Sequence, residues 1–179
     1  ITETGYAQYQ IIDNRGIDGT DSLDSIETLR FADQDFDITP SGQKLEGNSS
    51  DDSLEGTSGP DLIYGYGGED TLKGLGGDDE IYGGDGNDTL DGDNGDDTIY
   101  GEAGDDSLDG GDGDDVIYGG IGNDHLEGEA GSNTLYGGDG DDVLVNWEGL
   151  VVNYLYGNSG DDVFSLANGG IAYGGDGDD

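Results

Sequence analysis

The chain contains no cysteine, so neither a disulfide framework nor a thiolate metal site is available to it. Basic residues are almost as scarce: four lysines and arginines stand against 44 aspartates and glutamates, a formal charge of −40. That excess strongly opposes compaction unless counter-ions are bound in place, and no nucleic-acid partner is expected of such a chain. Apolar residues make up only 30% of the 179 positions, and 39 of the others are glycine. Apolar burial alone therefore falls short of the entropy of ordering. No apolar run approaches the roughly 18 residues that cross a bilayer, so the chain is not expected to span a membrane. Ile1-Thr2-Glu3 carries no positively charged secretory leader. The only histidine, His125, stands alone at an outward strand position, and no active site is expected. Two readings survive these absences: a disordered acidic segment, or a fold in which metal is the staple.

What is present is a double period. Eleven consecutive nonapeptides run without a gap from Gly47 to Val145, each beginning with glycine. Their sixth position is Asp52, Asp61, Asp70, Asp79, Asp88, Asp97, Asp106, Asp115, Asp124 and Asp142, with Asn133 as the exception, and their eighth is always Leu or Ile. Glycines at positions one, two and four permit positive φ and tight turning, which leaves loop carbonyls uncrowded. The last three residues, as in Thr89-Leu90-Asp91, alternate polar, apolar, polar and predict a very short strand with its middle side chain inward.

Odd and even units differ. Odd units turn Leu54, Leu72, Leu90, Leu108, Leu126 and Leu144 inward; even units turn Ile63, Ile81, Ile99, Ile117 and Leu135 inward. Tyr64, Tyr82, Tyr100, Tyr118 and Tyr136 recur every eighteen residues at the next, outward place of the even units, where odd units carry Glu55, Lys73, Asp91, Asp109, Glu127 and Val145. Two loops and two strands thus make one coil of eighteen residues, and like columns stack at about 4.8 Å per coil.

This pattern resembles the hemolysin-type, or RTX, calcium-binding nonapeptide GGxGxDxUx of secreted bacterial proteins, U being a large apolar residue. The resemblance implies an all-β, right-handed parallel β-roll solenoid with two nonapeptides per coil and an N-terminal β-rich cap. It also implies calcium ions between vertically adjacent loops, so that Asp88 shares ions with Asp70 and Asp106. Calcium takes about six to eight oxygens at about 2.3–2.6 Å. Beside the aspartates, with Asp162 and Asp179 continuing the odd column, the implied set includes loop residues at positions one, three and five: Gly65, Gly67 and Glu69; Gly83, Asp85 and Asn87; Gly101, Ala103 and Asp105; Gly119, Ile121 and Asn123. Their backbone carbonyls complete the shell. The side chains of the acids at positions three, five and nine, such as Asp85, Asp105 and Asp109, are expected to act as solvated charge. Roughly 8–11 ions are implied, the even column ending near Asn133 while the odd one runs on to Asp179.

An EF-hand is excluded, because no loop places a Glu at the twelfth position after a DxDxDG run. Collagen is excluded too, since glycine does not fall every third residue.

Three segments follow. Residues 1–46 are poorer in glycine, with apolar Ile26, Leu29, Phe31, Phe36 and Ile38, and are expected to cap the first coil. Residues 47–145 are the regular repeats. Residues 146–179 continue the roll irregularly, with a register shift of two near Asn146-Trp147 and good units at 157–165 and 174–179. The cluster Val143, Leu144, Val145, Trp147, Leu150, Val151 and Val152 is expected to thicken the core there. A start without Met and an end inside a repeat suggest an excised piece of a longer protein.

The function expected is that of an extracellular, secreted calcium module whose folding follows export by a type I system. Its partners are calcium and the flanking domains of a parent protein. Alternatives are an adhesive or polysaccharide-binding surface built on the tyrosines, or a non-catalytic appendage of a secreted protease, lipase or epimerase.

Overall fold

A computed structural model describes residues 28–31, 34–37, 42–147, 152–166 and 170–179. The chain divides into two compact units, Ile1–Ile38 and Thr39–Asp179. In the first, strands β1 (Thr28–Phe31) and β2 (Gln34–Asp37) pair antiparallel, with Leu29 opposite Phe36. Of the rest of the expected cap, residues 42–46 belong to the second unit, where 44–46 enter its first strand, and the others lie outside the described residues.

The second unit is a parallel β-solenoid. One sheet of eight strands holds β3 (Lys44–Asn48), β5 (Leu62–Gly67), β7 (Glu80–Asp85), β9 (Thr98–Ala103), β11 (Val116–Ile121), β13 (Thr134–Asp139), β15 (Tyr154–Ser159) and β17 (Ile171–Asp176). A second sheet of seven holds β4 (Ser53–Glu55), β6 (Thr71–Lys73), β8 (Thr89–Asp91), β10 (Ser107–Asp109), β12 (His125–Glu127), β14 (Val143–Asn146) and β16 (Val163–Leu166). Each strand pairs in parallel with the equivalent strand of the next coil, Ile81 with Ile99 and Leu90 with Leu108. Among the described residues of the roll, successive strands do not pair with one another, because the chain changes sheet between them. The roll begins with β3, whose Leu45 pairs with Ile63 just ahead of the first nonapeptide.

The core is as thin as the sequence predicts. Ile63, Leu72, Ile81, Leu90, Ile99, Leu108, Ile117, Leu126, Leu135, Leu144 and Leu155 form one cluster, each at most 1% exposed, and Leu54 and Phe164 pack against it. Outward, the tyrosines of the eight-stranded sheet stack ring on ring at 4.6–5.0 Å from Tyr64 through Tyr82, Tyr100, Tyr118, Tyr136 and Tyr156 to Tyr173. The spacing is that of the strands themselves, so sheet geometry alone puts the faces in contact.

Three sequence expectations change at the C-terminal side. Val145, taken as outward, is 5% exposed and lies between Glu127 and Ser165 in its sheet. Trp147 and Val152, expected to thicken the core, are 59% and 47% exposed; Leu150 and Val151 lie outside the described residues. Leu144 and Val145 of the cluster are thus buried, but at Trp147 and Val152 apolar character does not mark burial, because the coil that contains them departs from the repeat. The register shift takes the form of a longer coil: the ladder step from Asp142 to Asp162 is 20 residues, and the next, to Asp179, is 17.

With so few buried side chains, each carries a large share of the packing. Ile99→Ala is expected to lower the unfolding free energy of the calcium-loaded protein by about 2–5 kcal/mol. The neighbouring outward change Tyr100→Thr should cost about 0.5–1.5 kcal/mol, the worth of an aromatic pair. Urea denaturation at fixed calcium measures both, and equal effects would contradict the inward–outward assignment.

Candidate metal centres

From Asp61 to Asp162 the loops end on the sixth-position side chain, a carboxylate in all but those ending at Asn133 and Asn153, and the turn delivers it into the interior. Asp70, Asp79, Asp88, Asp97, Asp106, Asp115, Asp124, Asp142 and Asp162 are only 1–4% exposed. One oxygen of each accepts a backbone N–H bond. Asp88 N–H donates to Asp106 Oδ1 at 2.8 Å, Asp106 N–H to Asp124 Oδ1 at 2.9 Å and Asp97 N–H to Asp115 Oδ1 at 2.9 Å, so each carboxylate clips the coil before it. Partners stand eighteen residues apart, as the double period requires.

The other oxygen has nothing. Oδ2 of Asp70, Asp79, Asp88, Asp97, Asp106, Asp115, Asp124, Asp142 and Asp162 is buried without a hydrogen-bond donor. A buried, unpaired carboxylate oxygen is among the costliest groups a fold can hold, and here nine of them are arranged in two columns. Beside each lies the position-one glycine. Cβ atoms on Gly65, Gly83 and Gly101 would press on the Asp70, Asp88 and Asp106 carboxylates and come within 2.5–2.8 Å of the carbonyls of Gly83, Gly101 and Gly119. The invariant glycine thus keeps open a space where a carboxylate and a carbonyl of the next coil converge.

Between residues 46 and 170 the chain matches the RTX calcium-binding nonapeptide repeat, along 46–81, 64–99, 82–117, 91–126, 118–149 and 153–170. The chain belongs to the RTX calcium-binding repeat family. No curated protein matches it. RTX repeats bind calcium, and the donors found in these loops, buried carboxylate and main-chain carbonyl oxygens without nitrogen or sulfur, are the hard oxygens that calcium takes.

The RTX loops also show what the sequence left unread. The even loops have the same convergence as the odd ones: Asp79 Oδ2 with the Gly92 carbonyl about Gly74, and Asp97 Oδ2 with that of Gly110 about Gly92. Their carbonyls follow from the same nonapeptide and belong in the candidate set. At position three, Asp85, Ala103 and Ile121 carbonyls already accept N–H groups of Gly68, Gly86 and Gly104 at 2.7–2.9 Å, leaving one lone pair each. At position five, the side chains, among them that of Asp105, expected to act as solvated charge, form a second ladder of opposite sense. Asn87 Oδ1 accepts from Asp105 N–H at 2.9 Å, Asp105 Oδ1 from Asn123 N–H at 2.8 Å and Asn123 Oδ1 from Asp141 N–H at 2.9 Å. Glu69 N–H donates to Asp51 at 3.0 Å.

Position two explains why the inner oxygens stay free. It is left-handed in Tyr66 (φ 76°), Leu75 (74°), Asp93 (66°), Glu102 (76°), Glu129 (53°) and Asn158 (76°), and in Gly84, Gly111, Gly120 and Gly138. This conformation costs a non-glycine residue roughly 1–2 kcal/mol. Where position two is not left-handed, at Asn48 and Thr57, its N–H turns onto the carboxylate: Asn48 N–H donates to Asp52 Oδ2 at 2.7 Å and Thr57 N–H to Asp61 Oδ2 at 2.5 Å. Asp52 and Asp61 are therefore the two sixth-position aspartates of the regular repeats whose inner oxygens are occupied by protein donors. Asp179 continues the ladder by accepting from Asp162 N–H at 3.1 Å.

Asp109 and Glu127, on the seven-stranded sheet, and Glu129, in the loop after it, bring carboxylate oxygens within 4.8 Å of one another. Burial, then Asp91, Glu129 and Glu127, raises Asp109 to about 6. His125 lies 2.8 Å from Glu127 on the same strand.

In the loops burial dominates the titration. It lifts Asp97, Asp106 and Asp142 to about 7, and Asp79, Asp88, Asp115 and Asp124 to about 6, against an ordinary 3.8; the backbone N–H bond opposes this and neighbouring aspartates reinforce it. The folded values exceed the unfolded one, so the metal-free fold is penalised most above pH of about 7 and is relieved as pH falls through about 7 to 6 and below. Protonation of the same oxygens opposes cation binding. In chelator, acidification from pH 8 to 5 is therefore expected to increase β-structure by far-UV circular dichroism, while the calcium concentration at half-saturation rises over the same interval. A chelated protein that loses β-structure over this range would contradict the assignment.

Proposed function

We propose that this chain is a non-enzymatic calcium-binding module that folds on binding several ions, and that it serves the export and extracellular folding of a larger secreted protein. One observation carries the reading: nine buried carboxylate oxygens without a partner, in a chain of formal charge −40. Without cations the columns oppose the very fold that buries them, so binding and folding become one event. In the proposed sites Asp70, Asp88, Asp106, Asp124, Asp142 and Asp162 serve the odd column, and Asp79, Asp97 and Asp115 the even one. Position-one carbonyls such as Gly83, Gly101 and Gly119 join them, with loop carbonyls at positions three and five completing the shell. Extracellular calcium modules bind at about 10⁻⁴–10⁻³ M, so a chain that stays open in the cytosol folds once outside.

A second reading, favoured by the outer surface, assigns an adhesive role to the eight-stranded sheet. The outward pairs of β9 to β17, Thr98/Tyr100, Val116/Tyr118, Thr134/Tyr136, Tyr154/Tyr156 and Ile171/Tyr173, hold no charge, in a protein whose opposite face carries Glu55, Lys73, Asp91, Asp109 and Glu127. The ring faces are used against one another, so a partner such as a neutral polysaccharide meets a row of edges and hydroxyls.

Titrating calcium into the chelated protein at constant ionic strength separates these readings. The module reading expects a cooperative coil-to-β transition by circular dichroism with calcium and none with magnesium; a protein fully folded in chelator at pH 8 would refute it. Because Trp147 is largely exposed, circular dichroism is the better readout than its fluorescence. Replacing Tyr82, Tyr100 and Tyr118 with Thr should leave that transition intact and abolish glycan retention if the second reading holds.

A further inference from the structure

The repeat pattern and the interior disagree about where the columns of ions begin and end. At the start, Asp52 and Asp61 look like any other sixth-position aspartate. Yet Asn48 covers Asp52 twice, from its N–H at 2.7 Å and from Nδ2 at 2.8 Å to Oδ2 and 3.0 Å to Oδ1. Thr57 covers Asp61 Oδ2 with its N–H at 2.5 Å and its hydroxyl at 3.1 Å. Asp61 Oδ1 accepts from Gln43 N–H. Neither carboxylate has a buried oxygen left over.

At the far end of the even column the same space is filled from the other direction. Asn133, fully buried, accepts from Asp115 N–H at 2.8 Å as an aspartate would, but its Nδ2 donates to the Gly128 carbonyl of its own loop. A Cβ on Gly128 would meet two amide nitrogens, Asn146 Nδ2 at 2.5 Å and Asn133 Nδ2 at 2.9 Å, where other loops present carboxylate and carbonyl oxygens. Asn146 is 1% exposed, and its Oδ1 is taken by Asn153 Nδ2 at 3.0 Å, which fixes the amide with its nitrogen toward Gly128. Two amide groups that turn N–H donors toward this place, that of Asn146 without an acceptor, disfavour a cation there.

We propose that hydrogen-bond donors built into the chain take the place of calcium at Asp52, Asp61 and Asn133, so that the ions occupy only the span between these plugs in the even column and start one coil inside the roll in both. This rests on the calcium reading above. The two ends then cohere without metal, the first coil through Asn48 and Thr57 and the junction before the long coil through Asn133 and Asn146. The determinant at the start is the conformation of position two: a residue that is not left-handed swings its N–H onto the carboxylate.

Crystals grown in calcium, with ions located by anomalous scattering, test both ends in one experiment. Ions are expected beside Asp79, Asp88 and Asp97, and none against Asp52, Asp61 or Gly128. An ion at any of those three places overturns the plugs and leaves the calcium reading standing; no ion beside Asp88 removes that reading and the plugs with it. By equilibrium dialysis, Thr57→Gly and Asn133→Asp are each expected to bind one more ion than the parent. An unchanged count in either, with circular dichroism in calcium matching the parent, overturns the proposal.

Discussion

Everything in this roll depends on a carboxylate that is buried with half of its hydrogen-bonding capacity met. Oδ1 holds the preceding coil through a backbone N–H, and Oδ2 faces inward with no donor. A neutral side chain of the same shape could make the first bond without the cost of the second, which is what Asn133 does. The aspartates thus give the loop stack its geometry and, in the same stroke, make that geometry unfavourable until a cation arrives. The apolar columns cannot compensate, since each coil adds only two buried aliphatic side chains.

Loop conformation follows from that constraint. Position-one glycine stands where the carboxylate and the next coil's carbonyl meet, and position two takes a left-handed φ that even Leu75 and Glu102 adopt. Strain of this kind persists only where the surroundings over-determine it. Here the loops above and below fix the turn, so that six non-glycine residues hold an uncommon backbone conformation in register with their glycine neighbours.

Much of this was legible because the chemistry repeats. A period of eighteen in Asp88, Asp106 and Asp124 gives the partner of every carboxylate, and alternation of Leu90 with Ile99 gives the two sheets, since a repeating solenoid converts sequence distance directly into spatial distance. The fate of each oxygen was not legible. Whether Asp61 is bare or covered turns on the φ of Thr57, and no residue count shows that. Nor did the acids at position five announce a second ladder, because Asp105 as a hydrogen-bond acceptor and Asp105 as solvated charge are the same letter. The inference failed most clearly where the period broke: the apolar run around Trp147 suggested a core, but hydrophobicity indicates burial only when the register that turns it inward is known.

The two loop ladders run in opposite directions. At position six a coil donates forward to the carboxylate of the next, and at position five the next coil donates back to the side chain behind it. Any such cut between coils leaves one dangling donor and one dangling acceptor on each rim, and the two rims are complementary to one another. Removing or duplicating eighteen residues therefore rejoins matching surfaces, and the roll can change length by whole coils without redesign. A change of nine residues rejoins the loops equally well but exchanges the faces, sending every later tyrosine to the charged side and splitting the aromatic stripe into two offset halves. The coil, not the nonapeptide, is the smallest step by which such a chain can grow and keep its surface.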